Sequence, residues 1–110
     1  MDEILRQIGR RLYDRRKQLN MTQDKLAELA GVTGQTISIA ELGKKAMRAD
    51  TIIRICGALE ISADYLLFGD ISPHDASALI PKVSQLSPAQ YRYLEDIINS
   101  FISAVSLNEK

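Results

Sequence analysis

Apolar residues in the first 70 positions recur at spacings of three and four, which is typical of amphipathic helices, and no useful stretch alternates as a strand would. The first such pattern covers residues 3–19, where Leu5, Ile8 and Leu12 share one face. Asn20 can adopt the left-handed conformation that ends a helix. We therefore expect one long helix at the start of the chain.

Two short helices are predicted next, on either side of a glycine turn. The hydroxyl groups of Thr22 and Thr33 can each accept a hydrogen bond from an unpaired backbone N–H group, so both are expected N-caps. Gly31 supplies the positive φ of the turn between them, and Gly43 ends the second helix. The positions expected to face the core are Leu26, Leu29, Ala30, Ile37 and Ala40.

Two further helices complete the predicted first domain. One covers about residues 49–59, and a shorter one follows the cap Ser62 and closes at Gly69. Their inward positions are Ile52, Ile55, Cys56, Leu59, Leu66 and Leu67. Five short helices joined by short loops predict a compact all-α domain.

Residues 71–110 form a different kind of segment. All six glycines lie at or before Gly69 and all three prolines lie after it, so we place a domain boundary near residue 70. Ser72 and Pro73 are expected to start a short helix. Ser87 and Gln90 form a capping box for a long helix over residues 88–107.

The long terminal helix has the strongest periodic pattern of the chain. Its apolar positions follow the spacing of a coiled-coil seam, and they are Tyr91, Leu94, Ile97, Ile98, Phe101, Ile102 and Val105. This stripe either packs back on the first domain or pairs with its copy in a second chain. We favour a homodimer because five helices already complete the first domain, and residues 70–85 can hold the last helix away from it.

Composition excludes several classes of protein. The single cysteine, Cys56, excludes an internal disulfide framework, and one Cys with one His argues against a zinc site. The longest apolar run covers only residues 65–68, which is too short to span a membrane. A glycine-rich phosphate loop, a nucleophile elbow and a plausible carboxylate pair are all missing from the sequence, so an enzyme is not expected.

The charge distribution points to a polyanionic partner for the first half only. The whole chain is neutral, with 14 basic and 14 acidic residues. Residues 1–54 contain 11 Lys and Arg against 7 Asp and Glu, a balance of +4, and residues 55–110 contain 3 against 7, a balance of −4. Arg10, Arg11, Arg15 and Lys17 form either a solvated helix face or part of a surface for that partner.

Residues 22–43 have the plan of a helix-turn-helix unit. In such a unit an exposed helix enters the major groove of B-DNA, and the preceding helix braces it across the phosphates. Thr33, Gln35, Thr36 and Ser38 place polar groups at the start of the second helix, where they can bond to base edges. Glutamine can pair bidentately with adenine, and serine or threonine with several bases.

Together these motifs resemble the lambda-repressor-like family of XRE-type helix-turn-helix regulators, which includes phage repressors and Cro. The resemblance covers about residues 4–69. It rests on Ile8, Leu12 and Arg16, then on Thr22-Gln23, Leu26-Ala27, Gly31-Val32, Ile37-Ser38, Glu41, Gly43, Ala58-Leu59, Ser62 and Asp64-Tyr65-Leu66-Leu67. It implies a five-helix domain that binds operator DNA as a homodimer and regulates transcription.

The resemblance also implies roles for single residues. Gln23 would contact a phosphate and brace the third helix, and Arg16 and Glu41 would form a partly buried salt bridge between the first and third helices. Ile39 would offer only apolar contact to a base. The full set of implied DNA contacts is Gln23, Thr33, Gln35, Thr36, Ser38, Ile39, Lys44, Lys45 and Arg48.

The chain departs from the family pattern at a few positions. Gly34 places no side chain at a base-facing position, and Ala40 stands where a large apolar residue is usual. Arg48 replaces a Ser-type cap and could instead contact a phosphate. Leu42 and Met47 replace a polar turn residue and a proline.

We therefore predict an all-α, cytoplasmic, sequence-specific DNA-binding regulator, most simply a repressor, that binds a palindromic operator as a homodimer and needs no metal or cofactor. Its expected domains are residues 1–70, which bind DNA, and residues 71–110, which dimerise. The alternative is an antitoxin-like or partner-binding adaptor whose terminal helix binds another protein.

Overall fold

Eight helices make up the described part of a computed structural model of the chain, which covers residues 2–108 and the side chains of residues 3–106. They are α1 (Asp2–Gln18), α2 (Gln23–Ala30), α3 (Gly34–Glu41), α4 (Ala49–Leu59), α5 (Ala63–Phe68), α6 (Pro73–Ser77), α7 (Ile80–Val83) and α8 (Pro88–Asn108). Residues 2–108 contain no strand, so the predicted all-α class is confirmed. None of these helices is long and apolar enough to cross a membrane.

The caps predicted for α2, α3 and α5 are present. The hydroxyl oxygens of Thr22, Thr33 and Ser62 each accept a hydrogen bond from the backbone N–H three residues later, at 3.0, 3.1 and 3.0 Å. These bonds satisfy N–H groups that have no partner inside their own helix. Arg48, at the N-cap of α4, makes no such bond.

Left-handed residues end several of these helices. Gly31, Gly43 and Gly69 have φ angles of 71°, 70° and 82°. Asn20 ends α1 with a φ of 59°, as expected, and Glu60 follows α4 with a φ of 58°. A glutamate has no intrinsic preference for this conformation, so the sequence did not indicate its role.

The five helices α1 through α5 pack around one hydrophobic core. Its fully buried side chains are Leu12, Leu26, Ile37, Ile55, Leu59 and Leu66. The prediction for Leu29 is wrong, because half of this residue is exposed. Leu29 borders an open groove whose α4 side is lined by Arg54, Gly57 and Ala58, and at positions 57 and 58 there is little or no side chain to cover it.

Two arginines of α1 cap the carboxyl ends of other helices. Arg11 donates from Nε to the carbonyl of Leu66 at 2.9 Å and from Nη2 to that of Leu67 at 3.0 Å. Arg15 donates from Nε to the carbonyl of Leu59 at 2.9 Å. Terminal carbonyls lack partners within their helix and carry partial negative charge. A guanidinium group stabilises them both by donating hydrogen bonds and by its positive charge. Arg11 and Arg15 are therefore structural residues rather than a solvated face.

The chain divides into two compact units, one that ends at Ala76 and one that begins at Ser77. Asp75 holds the segment after α5 to the first unit. Its carboxylate accepts hydrogen bonds from the backbone N–H and hydroxyl of Ser62 at 2.7 and 2.6 Å, and from the same two groups of Ser72 at 2.8 and 2.9 Å. Burial opposes ionisation, but these bonds outweigh it and hold the pKa of Asp75 well below its usual range.

The second unit contains α7 and α8. Pro81 lies in the first turn of α7, where its missing N–H is harmless, so a separate short helix forms there in addition to α6. The capping box of α8 is present: the N–H of Ser87 donates to Oε1 of Gln90 at 2.9 Å, and the N–H of Gln90 donates to Oγ of Ser87 at 3.2 Å.

The apolar stripe of α8 is largely uncovered within this unit. Ile97 and Phe101 are each about two thirds exposed, Ile98 and Ile102 are about half exposed, and Tyr91 is 42% exposed. Leu94 and Val105 are partly buried.

Candidate nucleic-acid interface

The third helix is anchored by one face and open on the other. Ile37 and Ala40 are 0% and 4% exposed and pack in the core. Gln35 is exposed, and Ser38 and Ile39 are partly exposed. Because α3 contributes only these two buried residues to the core, the face that carries the predicted base contacts remains accessible.

The polar side chains on the open face differ in how they are held. The hydroxyl groups of Thr33 and Thr36 lie 2.9 Å apart, and Thr33 also accepts the capping bond from the N–H of Thr36. Gln35 and Ser38 make no side-chain hydrogen bond within residues 3–106. The two threonines are thus oriented by each other, whereas Gln35 and Ser38 keep their full bonding capacity for an outside partner.

Three residues hold the carboxyl end of α3 against the other helices. Arg16 donates to the Glu41 carboxylate from Nε at 2.6 Å and from Nη2 at 3.1 Å, and from Nη1 to the carbonyl of Met21 at 2.7 Å. The amide of Gln23 donates to Oε1 of Glu41 at 3.0 Å. The bond to Glu41 raises the pKa of Arg16 despite burial. Arg16 and Glu41, the pair implied by the family resemblance, are therefore in bidentate contact, and Gln23 braces α3 through its amide.

Close contact between α1 and α3 depends on Gly9, which the sequence analysis missed. A Cβ atom at this position would lie 2.5 Å from the carbonyl oxygens of Ala40 and Glu41. The backbone at the end of α3 thus packs directly on α1. A glycine inside a helical pattern was the available signal.

The loop after α3 carries the cationic groups. Lys44 and Lys45 are exposed and form no ion pair within the described side chains. Arg48 is also exposed, but its Nε lies 3.4 Å from Oδ1 of Asp50. The two lysines therefore present full positive charges, while Asp50 partly neutralises Arg48.

The start of α3 is bordered by an acidic side chain. A Cβ atom on Gly34 would lie 2.6 Å from Oδ1 of Asp24, the second residue of α2. Gly34 thus leaves no side chain at the first position of the helix, and the carboxylate of Asp24 lies next to that space.

Metal and thiol chemistry find no support in this part of the molecule. No group of three or more His, Cys, Asp and Glu residues within the described range is placed to hold a metal ion. Cys56 is 8% exposed in the core, and burial, followed by the charge of Asp75, raises the pKa of its thiol. Cys56 is therefore an unreactive core residue.

Comparison with known proteins identifies the class. Residues 12–66, half of the chain, match the helix-turn-helix family, and the chain belongs to that family. The five-helix arrangement is the lambda-repressor-like fold predicted from the sequence.

The relatives that the chain matches are a phage repressor and HTH-type transcriptional regulators. The chain is 30% identical over 92 residues to repressor protein C2 of Salmonella phage P22. The match covers 76% of this chain and 43% of that protein. It is 38% identical over 55 residues to the uncharacterized HTH-type transcriptional regulator YqaE of Bacillus subtilis strain 168, covering 50% of this chain and 47% of that protein. The chain spans about half the length of the curated relatives it matches.

Two solved structures share the fold. The P22 c2 repressor in complex with a synthetic operator is 35% identical with a TM-score of 0.56, covering 57% of this chain and 96% of that chain. The clp gene regulator ClgR of Corynebacterium glutamicum is 24% identical with a TM-score of 0.56, covering 84% of this chain and 90% of that chain. At that identity the second likeness concerns the fold alone.

Proposed function

We propose that this protein is a sequence-specific DNA-binding transcription regulator, most simply a repressor, and that α3 enters the major groove of its operator. The observation that carries the proposal is the division of α3 between a buried face with Ile37 and an open face with Gln35 and Ser38. An exposed helix held by a second helix matches the width of the major groove. The c2 repressor of phage P22, a relative with the same fold, has been crystallised with operator DNA.

The proposed roles on DNA follow from which polar and charged side chains have no partner among the described residues. Gln35 and Ser38 would bond to base edges, with Ile39 in apolar contact and Thr33 and Thr36 fixed beside them. Lys44 and Lys45 would bind phosphates because their charges are unpaired within the described residues. Two further phosphate contacts remain part of the proposal: Gln23, whose amide also bonds to Glu41, and Arg48, for which a phosphate would compete with Asp50.

The regulator is proposed to act as a homodimer through α8. The stripe of this helix exposes several large apolar side chains in a row, including Ile97, Ile98, Phe101 and Ile102. Such a row is unfavourable in water unless a partner covers it. Two reading helices about 34 Å apart would meet successive major-groove faces of a palindromic site, and a homodimer supplies two such helices.

The second candidate is an adaptor in which α8 binds a different protein. The same exposed stripe favours it, together with an apolar groove of about 470 Å³ in the second unit, lined by Leu79, Ile80, Val83 and Tyr91 among others. In that case the exposed face of α3 would have only a secondary role. In either case we place the protein in the cytoplasm and propose no enzymatic activity and no cofactor.

Selection of bound sequences from a random duplex pool tests the proposal directly. We expect enrichment of one motif with two inverted halves, and an affinity that falls steeply with salt because several counterions are released. Enrichment of a single half-site would support DNA recognition but contradict the proposed homodimer. No enrichment, with affinity that depends only on salt, would favour the adaptor.

A further inference from the structure

Asp24 has an unusual position beside the start of the proposed reading helix. It is the second residue of α2, and its Oδ1 lies where a Cβ atom of Gly34 would come within 2.6 Å. Any larger residue at position 34 would therefore contact the carboxylate. Because the first residues of a reading helix are those that approach base edges, the carboxylate lies near the surface that would face DNA.

This carboxylate is also the unpaired one of the helix-turn-helix unit. Helices α2 and α3 contain three acidic residues: Asp24, Glu28 and Glu41. Glu28 pairs with Lys25 at 3.4 Å, and Glu41 is bonded by Arg16. Asp24 is exposed and has no hydrogen bond or ion pair with any described residue.

An unpaired carboxylate at a DNA-binding surface restricts which bases can lie beside it. Carboxylate oxygens only accept hydrogen bonds, so they repel phosphates and the acceptor atoms of guanine and thymine. Cytosine N4 and adenine N6 are the amino donors of the major groove, but adenine also presents its N7 acceptor beside N6, so a carboxylate favours cytosine. Gly34 leaves the space in which such a contact can form.

We propose that Asp24, whose carboxylate lies beside the open space at Gly34, is a specificity-determining residue. It accepts a hydrogen bond from the N4 amino group of a cytosine in each half-site. The inference rests on the proposed function, since it requires α3 to lie in the major groove. The contact from Asp24 would replace the base contact that Gly34, which has no side chain, cannot make.

The test compares the wild-type chain with Asp24→Ala, which removes the acceptor oxygens, in selections from a random duplex pool, followed by titrations on single-base variants of the enriched site. The matched control is Glu28→Ala, which also removes one carboxylate from α2 but lies a turn away and pairs with Lys25. We expect the wild type to prefer cytosine at one position of each half-site by about tenfold. Asp24→Ala should lose this preference and retain the others, and Glu28→Ala should retain all of them.

Several results would overturn the inference. If Asp24→Ala binds every sequence more tightly by the same factor, Asp24 only repels phosphates. If the preference at every position is unchanged in Asp24→Ala, Asp24 contacts no base. A wild type that enriches no sequence overturns the proposed function as well, whereas a motif that survives Asp24→Ala intact overturns this inference alone.

Discussion

Arg16 and Glu41 are joined by two hydrogen bonds of 2.6 and 3.1 Å, and less than a tenth of either side chain is exposed. Glu41 is the last residue of α3, so the pair ties the carboxyl end of the proposed reading helix to α1. The remaining guanidinium nitrogen bonds to the carbonyl of Met21, just before α2. One arginine thus sets the relation of three helices on which the exposed face of α3 depends.

Removal of one member of this pair should strongly destabilise the domain. We expect Arg16→Met to lower the free energy of unfolding by about 3–5 kcal/mol, because Glu41 is left as an uncompensated buried charge. Urea unfolding measures the effect. The control is Arg10→Met, which removes an exposed ion pair with Asp14 and should lower stability by less than about 1 kcal/mol. Equal losses in the two variants would refute the structural role of Arg16.

Two glycines within helices should respond in opposite directions to alanine. Gly9→Ala places a Cβ atom 2.5 Å from backbone carbonyls of α3, so we expect a loss of about 1–3 kcal/mol from overpacking. Gly57 lies in α4 with nothing within 4 Å of its added Cβ. Gly57→Ala should therefore stabilise by about 0.5–1 kcal/mol through the higher helix propensity of alanine. Thermal denaturation of the two variants checks both signs, and a destabilised Gly57→Ala would contradict the packing described here.

The four hydrogen bonds to Asp75 predict a specific dependence of stability on pH. The pKa of Asp75 is lowered in the folded protein from an unfolded value of about 3.9. Its charged form therefore stabilises the fold above that value, and the contribution is lost as the pH falls below it towards the lower folded pKa. Asp75→Asn should be less stable by about 1–3 kcal/mol at pH 7, since an amide NH₂ group would face serine donors.

Urea midpoints measured from pH 7 to pH 2 test this expectation for Asp75. The gap between the wild type and Asp75→Asn should narrow towards the acidic end of the range, as the stabilisation by the carboxylate is lost. Asp70→Asn, an exposed aspartate of the same segment, is the control and should follow the wild type. A constant gap between wild type and Asp75→Asn at all pH values would show that the charge of Asp75 is not what stabilises the fold.

Base contacts and phosphate contacts should separate in binding experiments. Gln35→Ala should relax the preference at one position of each half-site by about 1–3 kcal/mol, because glutamine pairs with a base edge. Lys44→Ala should weaken binding to all sequences alike and reduce the slope of log affinity against log salt by about 1. Titrations on matched and mismatched duplexes at several salt concentrations distinguish the two. An unchanged preference in Gln35→Ala would mean that α3 is not the reading helix.

The dimer proposal predicts a monomer when charges enter the stripe of α8. Leu94→Asp combined with Ile98→Asp should give a monomer in sedimentation at tens of micromolar, because a covered apolar face does not accept unpaired carboxylates. Asn99→Asp combined with Ser103→Asp adds the same charge off the stripe and should leave the dimer intact. A wild type that is already monomeric at that concentration would refute pairing.

The sequence predicted those features that depend on neighbours along the chain. The caps Thr22, Thr33 and Ser62 and the positive φ of Gly31 arise from bonds and sterics that span a few residues, so local patterns were sufficient. The exposed face of α3 followed from the spacing of Ile37 and Ala40. The bond between Arg16 and Glu41 was accessible only through the family resemblance, since 25 positions separate the two residues.

The sequence by itself therefore determined the approximate positions of seven of the eight helices in the described chain, all but α7, and which side of most helices is buried. Tertiary structure alone decided that Leu29 is exposed, that Arg11 and Arg15 cap α5 and α4, that Gly9 contacts α3, and that Asp24 lies beside Gly34. Helix periodicity and capping act over one or two turns, and they carry no information about which distant residues meet. Those contacts depend on the distance and relative orientation of packed helices. The core determines both only once the five helices α1 to α5 have assembled.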